Sequence, residues 1–196
     1  MFTGIIEALG QVKEIAETGT NRTFWIESPL SHSFQVDQSI AHDGVCLTVE
    51  EVQENRHRVT AVLETLEKTT LGQWAQGRTV NLEQSLLPSK RLDGHFVQGH
   101  VDTTGTCTKI EDKGGSWEYT FAFPENFAPL VIEKGSISLN GTSLTIFDVT
   151  RESFRVAVIP YTYEHTSIKY LKEGDRVNLE FDMIGKYITR NIVHLK

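Results

Sequence analysis

Residues Ser39–Val52, SIAHDGVCLTVEEV, and Ser136–Val149, SISLNGTSLTIFDV, are two versions of one text. Slid by 97 positions, residues 39–83 align with residues 136–180 without a gap, and 16 of those 45 positions are identical, against roughly three expected from composition. The identities fall where structure is demanding: Gly44 with Gly141, Leu47-Thr48 with Leu144-Thr145, Thr65 with Thr162, Thr69 with Thr166, and VNLE at Val80 with VNLE at Val177. Upstream, a shift of 95 pairs Gly4 with Gly99, Gly10 with Gly105 and Pro29 with Pro124, so the halves differ early by a two-residue insertion. A duplication of only two units cannot stack into a solenoid, and each half must therefore close its own core.

Within a half, GQVKEI, RTFWIES, VCLTVEEV and HRVTAVL are short, rich in β-branched residues and bounded by Gly, Asn, Asp or Pro, which reads as five to seven strands. A small closed barrel leaves no strand edge unpaired. The expectation is an all-β chain of two tandem, similar six-stranded antiparallel barrels. LEKTTLGQW and YEHTSIKYL carry a Thr at a capping position and apolar residues three or four apart, predicting one or two helical turns across a barrel end. Pro88, Ser89, Lys90 and Gly94 mark a linker. The expected division is 1–84 for the first barrel, 85–94 for the linker, 95–182 for the second barrel and 183–196 for a terminal helix. In that helix Ile184, Tyr187, Ile188, Ile192 and Val193 share one apolar face, which suggests docking or self-association.

Bulk properties exclude several classes. A hydrophobic fraction of 39% with 23% charged residues suits a packed soluble chain. A net charge of −7, with no basic run longer than Lys90-Arg91, disfavours nucleic acid and anionic membranes as partners. MFTGIIEALG has neither the basic start of a secretory signal nor the length of a spanning helix, so a cytoplasmic location is expected. Cys46 and Cys107 are too few for a disulfide scaffold.

Asp43-Gly44 and Asn140-Gly141 are dipeptides that accept the positive φ of a tight hairpin turn. After them Cys46 and Thr48, and Ser143 and Thr145, alternate, which puts each pair on one strand face at the interior or mouth of a barrel. Such groups could grip a flat polar heterocycle, with plain strand packing as the competing reading. Cys46 alone reads more readily as a small buried hydrophobe than as a nucleophile. Its replacement by Ser143 gives the copies unequal tasks. His95 and His100 lie five apart with no cluster of Cys, Asp or Glu to complete a metal site, and none is expected. His32, His42, His57, His165 and His194 read as surface or structural. His100 corresponds to Ile5, so one copy carries a titratable group that the other lacks.

MFTGIIE, SIAHDGVCLTV, LETLEKTTLG, VNLE, DGHFVQGHVD, GSISLNGTSLTIFDV and DMIGKY occur in order along essentially the whole chain. Together they closely resemble the riboflavin synthases of the α-chain type. The resemblance implies Greek-key topology for the barrels, a C-terminal helix holding a homotrimer, and dismutation of two 6,7-dimethyl-8-ribityllumazine molecules to riboflavin and 5-amino-6-ribitylaminopyrimidinedione. No cofactor or metal is implied, and lumazine synthase is a candidate partner. The productive site would lie between the first barrel of one subunit and the second barrel of its neighbour. Carried residue by residue, the first pocket would be lined by Gly4, Ile5, Ile6, Cys46, Leu47, Thr48, Thr60, Ala61, Val62, Leu63, Glu64 and Thr65. The second would be lined by Gly99, His100, Val101, Lys134, Ser143, Leu144, Thr145, Ala157, Val158, Ile159, Pro160, Tyr161 and Thr162. Ser39, Cys46, His100, Thr145 and Asp182 match catalytic positions. This chain departs from the common pattern at His42-Asp43, where Val-Asn is usual, and at Tyr161 and Tyr163. A non-catalytic lumazine- or flavin-binding antenna protein, built from the same two barrels, is the rival reading.

Overall fold

The computed structural model describes residues 1–194, with side chains through Ile192. The last two residues of the expected terminal segment, and Val193 of its apolar face, lie outside the described residues. Strands β1 (Ala8–Thr18), β2 (Asn21–Glu27), β3 (Ser39–His42), β4 (Val45–Gln53), β5 (Arg56–Ala61) and β6 (Thr79–Gln84) close an antiparallel barrel in the order β1-β2-β5-β4-β3-β6. Strands β7 (Thr103–Asp112), β8 (Trp117–Ala122), β9 (Ser136–Leu139), β10 (Thr142–Phe147), β11 (Ser153–Val158) and β12 (Arg176–Phe181) repeat it as β10-β11-β8-β7-β12-β9. Two six-stranded Greek-key barrels are therefore what the repeat encodes. In β4, Val45, Leu47 and Val49 point into the core, and β10 repeats this with Leu144 and Ile146.

The duplicated threonines build the barrel ends. Helix α1 (Leu63–Lys68) stops at Thr69, whose hydroxyl donates to the Thr65 carbonyl at 2.6 Å and accepts from Leu71 N–H at 3.2 Å. Helix α2 (Pro160–His165) stops at Thr166, which makes the same two bonds to Thr162 and Ile168. Helix α3 (Met183–His194) follows β12.

VNLE explains itself at the seam between the barrels. On β6 and β12 the Val and Leu of each copy face a core, and the Asn and Glu face outward yet are buried. The two asparagines are exchanged: Asn81 Nδ2 donates to the Asn140 carbonyl at 2.8 Å, and Asn178 Nδ2 donates to the Asp43 carbonyl at 2.9 Å. Asn81 Oδ1 accepts from Ser167 N–H and Asn178 Oδ1 from Thr70 N–H, both at 2.7 Å. Each amide thus binds the turn and the cap of the opposite barrel, a pseudo-two-fold arrangement in which buried polar groups are paired as burial requires. The turns themselves touch. Gly44 and Gly141 have φ near +80°, and a Cβ on Gly44 would lie 2.6 Å from Gly141 N.

One position on this seam breaks the symmetry. Asn140 Oδ1 accepts from Asn178 N–H at 2.7 Å, and Asp43 Oδ1 accepts from Asn81 N–H at 2.8 Å. Asp43 is fully buried, with only Arg78 at 3.7 Å as a counter-charge. Burial pushes its carboxyl up from 3.8 to about 6, against the opposing effect of Arg78 and the hydrogen bonds. A raised folded value means stability that is present below pH 3.8 and lost as pH rises through about 6. The shift is worth about 3 kcal/mol at neutral pH. Asp43→Asn, which installs the residue of the other copy, is expected to stabilise the protein by about 1–3 kcal/mol at pH 7.5 and by little at pH 3.5. Urea unfolding at the two pH values measures the difference.

Candidate functional site

The expected alternation on β4 and β10 is present, but its polar face is the exterior one. Because Val45, Leu47 and Val49 fill the interior, Cys46 is half-buried and Thr48 exposed on the outer surface. The interior-or-mouth expectation is corrected accordingly. Ser39 on β3 pairs with Thr48, and on β5 the Thr60 hydroxyl meets that of Thr23 at 2.8 Å, extending this outer stripe of hydroxyls. The second barrel repeats the floor with Ser136 opposite Thr145 and Ser143 beside them, but Ala157 replaces Thr60. Exposed apolar residues border each floor: Val62 and Leu63 in the first copy, Ile159 and Tyr161 in the second. A polar floor with an apolar rim suits a flat heterocycle whose edges hydrogen-bond and whose faces do not. Ala61, Val158 and Leu144 face the cores.

Two extended arms cover the inner ends of these floors, and they are crossed. Phe2 and Val97 pair as an antiparallel bridge, with backbone bonds of 2.7 and 3.1 Å. Glu83, the last residue of the first VNLE, accepts from Thr3 N–H at 2.6 Å and Gly4 N–H at 2.9 Å. Glu180 of the second accepts from Gln98, Gly99 and His100 N–H at 2.6–2.9 Å. Burial raises both carboxyls above their usual range, against these hydrogen bonds. Each arm then lies on the other barrel's hairpin: Cys46 N–H donates to the Gly99 carbonyl and Ser143 N–H to the Gly4 carbonyl, both at 2.8 Å. The sequence groups Gly4 with Cys46 and Gly99 with Ser143. At these backbone contacts the structure groups them the other way, because the arms exchange across the pseudo-dyad.

His100 is exposed beside Gly99, next to the Cys46 floor. His95 is buried, and its Nδ1 lies 2.7 Å from Ser143 Oγ. Burial lowers its basicity, and the nearby Asp182 carboxylate partly restores it. Asp182 Oδ1 accepts from Ile184 N–H at the start of α3. Ile5 and Ile6 follow Gly4 toward β1, and Val101 packs against the first core. Lys134, two residues before Ser136, has φ of +62°, donates its N–H to the Ile146 carbonyl at 3.0 Å and holds its amine 5.3 Å from the Phe147 ring. Pro160, Tyr161 and Thr162 form the first turn of α2, and Glu64 and Thr65 that of α1.

The lumazine binding domain model matches twice, at residues 3–85 and 98–182. Curated riboflavin synthases match nearly the whole chain: that of Bacillus subtilis (strain 168) is 37% identical over 191 residues, covering 97% of this chain and 89% of the relative. That of Schizosaccharomyces pombe is 40% identical over 190 residues, covering 95% and 91%. This chain belongs to the riboflavin synthase family. Among solved structures, LumP complexed with riboflavin superposes with a TM-score of 0.87 at 20% identity, covering 92% of this chain and 99% of that one. A second structure, LumP complexed with 6,7-dimethyl-8-(1'-D-ribityl) lumazine, superposes at 0.84. At such identity the likeness speaks for the fold.

The arm also carries His95, which lies outside the expected set of site residues. On a strand, His95 and His100, five residues apart, would point to opposite faces. The segment is an arm without strand pairing beyond Val97, so the alternation rule does not apply to it. The contact of arm and floor is tight: a Cβ on Gly99, at φ +80°, would lie 2.6 Å from Cys46 Cβ. Gly114 has a similar φ of +75° with open space around it. Gly99→Ala is expected to lower the thermal midpoint by about 4–8 °C. Gly114→Ala is expected to shift it by less than half as much, the difference reporting the arm's contact with Cys46.

Proposed function

We propose that the chain converts two molecules of 6,7-dimethyl-8-ribityllumazine to riboflavin and 5-amino-6-ribitylaminopyrimidinedione. A four-carbon unit passes from one lumazine to the other, and the atoms of two substrates make up the two products with none left over. Residues 1–84 and 95–182 act as the two binding units, joined by 85–94. The observation that carries the reading is the pair of matching but unequal floors, Ser39-Cys46-Thr48 and Ser136-Ser143-Thr145. A reaction between two copies of one molecule needs two like cradles, and holding both substrates in register makes the encounter effectively intramolecular.

The roles are those the resemblance implies, with position in support. His100, tethered through its backbone to Glu180 and adjoining the Cys46 floor, moves protons at the acidic 7-methyl group of one lumazine. Ser39 and Cys46 supply or position the nucleophile for the other. Thr145 and Asp182 orient the second ring or a water by hydrogen bonds.

Assembly completes the site. The hairpins meet at Gly44 and Gly141 within one chain, and we take a facing pair of cradles to need a second copy. Helix α3 supports a homotrimer: Ile184, Tyr187, Ile188 and Ile192 are 53–65% exposed. With Met1, Phe96 and Met183, three of them wall an apolar groove of about 400 Å³. We place the protein in the cytoplasm, in keeping with two unpaired cysteines. Among the described residues no helix is long and apolar enough to cross a membrane.

Incubation with 6,7-dimethyl-8-ribityllumazine is expected to yield riboflavin, read by its fluorescence; binding without product would instead mark an antenna-type protein. His100→Gln is expected to reduce turnover about a hundredfold. Ile188→Asp is expected to shift the sedimentation coefficient from trimer to monomer, and to abolish turnover with it.

A further inference from the structure

The first barrel contains a polar chain that its twin lacks. His42 and His57 are fully buried, with their Nε2 atoms 2.8 Å apart. His42 Nδ1 lies 3.0 Å from the Ile40 carbonyl, and His57 Nδ1 lies 2.8 Å from Ser31 Oγ. A carbonyl only accepts, so His42 carries its proton on Nδ1 and presents a bare Nε2. Neutral His57 then donates from Nε2 and accepts the Ser31 hydroxyl at Nδ1. Each ring is satisfied only in this one arrangement of protons.

The repeat supplies the comparison. At the shift of 97, His42 and His57 correspond to Leu139 and Phe154, both buried in the second barrel. One fold thus has an apolar solution at these two positions, and burying imidazoles there instead carries a desolvation cost. What the imidazoles add is a grip on β3. Ile40 follows Ser39, and β3 pairs through Ser39 with Thr48 and through Ala41 with Cys46.

We propose that Ser31, His57 and His42 form a latch that positions the Ser39–Cys46 hairpin while both imidazoles are neutral, and slackens it in acid. The positioning half rests on the reading of Ser39 and Cys46 given above; the acid release does not.

The surroundings leave an added proton little to meet. Strand β2 presents Ile26, β4 presents Val45 and Val52, β6 presents Leu82, and the Phe34 ring packs edge-on to His57 at 4.9 Å. From the second barrel come Asn140 and Gly141, at the turn next to His42. The charged or titratable groups nearby are Asp43, adjoining His42 and facing Arg78, and the exposed His32 beside Ser31. A first proton is a buried charge; a second sets N–H against N–H across the Nε2 pair. Burial accordingly holds His42 well below its usual range, with His57 adding to the effect, and lowers His57 from 6.5 to about 4. A lowered folded value gives stability that is present above pH 6.5 and lost as pH falls toward 4. Asp43 titrates in the same window with opposite sign, so the test is made in an Asp43→Asn background.

In that background, the folding equilibrium constant from urea unfolding is expected to fall by about tenfold or more between pH 7.5 and 5.0. His42→Leu with His57→Phe, the twin's residues, should remove most of that fall, the remainder coming from buried His95. It should also lower kcat at pH 7.5 by about fivefold with KM unchanged, because a slightly misregistered catalytic group costs rate. His57→Gln, which keeps a donor toward His42 but does not itself titrate, should restore kcat and give an acid response between those of the parent and the double variant, because His42 still titrates. Coincident acid limbs for the parent and the double variant would overturn the acid release; unchanged kcat in the double variant would overturn the positioning role. Absence of turnover in the parent would sink the enzymatic reading and leave the unfolding comparison intact. Should the double variant fail to fold, nitrogen NMR of the parent decides: protons on His42 Nδ1 and His57 Nε2 at pH 7.5 are expected, and the reverse assignment or a charged ring defeats the latch.

Discussion

The exchange of two asparagine amides across a pseudo-dyad organises this molecule. Asn81 and Asn178 each satisfy a turn carbonyl and a cap N–H of the opposite barrel, in a seam sealed from water. Both polar ends of these two amides are matched across the seam, so the relative placement of the barrels is specified closely. Glu83 and Glu180, two residues along the same strands, use that placement to carry each arm onto the other barrel's hairpin. One short motif, repeated, therefore joins the barrels and finishes both cradles.

Approximate symmetry supplies two like cradles, and the departures from it make them unequal. Cys46 corresponds to Ser143, Thr60 to Ala157 and Ile5 to His100. Most of these differences lie on outer strand faces or on the arms, where packing is indifferent to them. The pair His42 and His57 is different, since it lies among core residues where Leu139 and Phe154 demonstrate an apolar alternative. Asp43 likewise stands where Asn140 serves the seam without a buried charge. The first barrel thus buries two imidazoles and a carboxyl at positions where its twin has Leu139, Phe154 and Asn140.

The strands, the turn positions, the threonine caps and the terminal helix were legible because each is a local pattern with a local cause. Alternation gives a strand two faces, and Asp-Gly or Asn-Gly permits positive φ; a threonine four residues after another closes a helical turn. Ser39, Cys46 and Thr48 could be placed on one strand pair for the same reason. Which face they occupied was not legible, since alternation has no sign until a core selects the inside. Nor was the crossing of the arms: the contact of Gly99 with Cys46 joins segments 53 residues apart through hydrogen bonds that leave no periodic trace.

By itself, then, the chain's text determined that there are two copies of one barrel, where each turns, and which side chains differ between them, because backbone sterics and burial periodicity act over a few residues. Only tertiary structure decided that the copies interlock through exchanged amides, that the arms trade barrels, and that His42 meets His57 inside one of them. Those outcomes depend on buried hydrogen-bond partners being satisfied in three dimensions, and a linear sequence records the donors and acceptors but not their pairing.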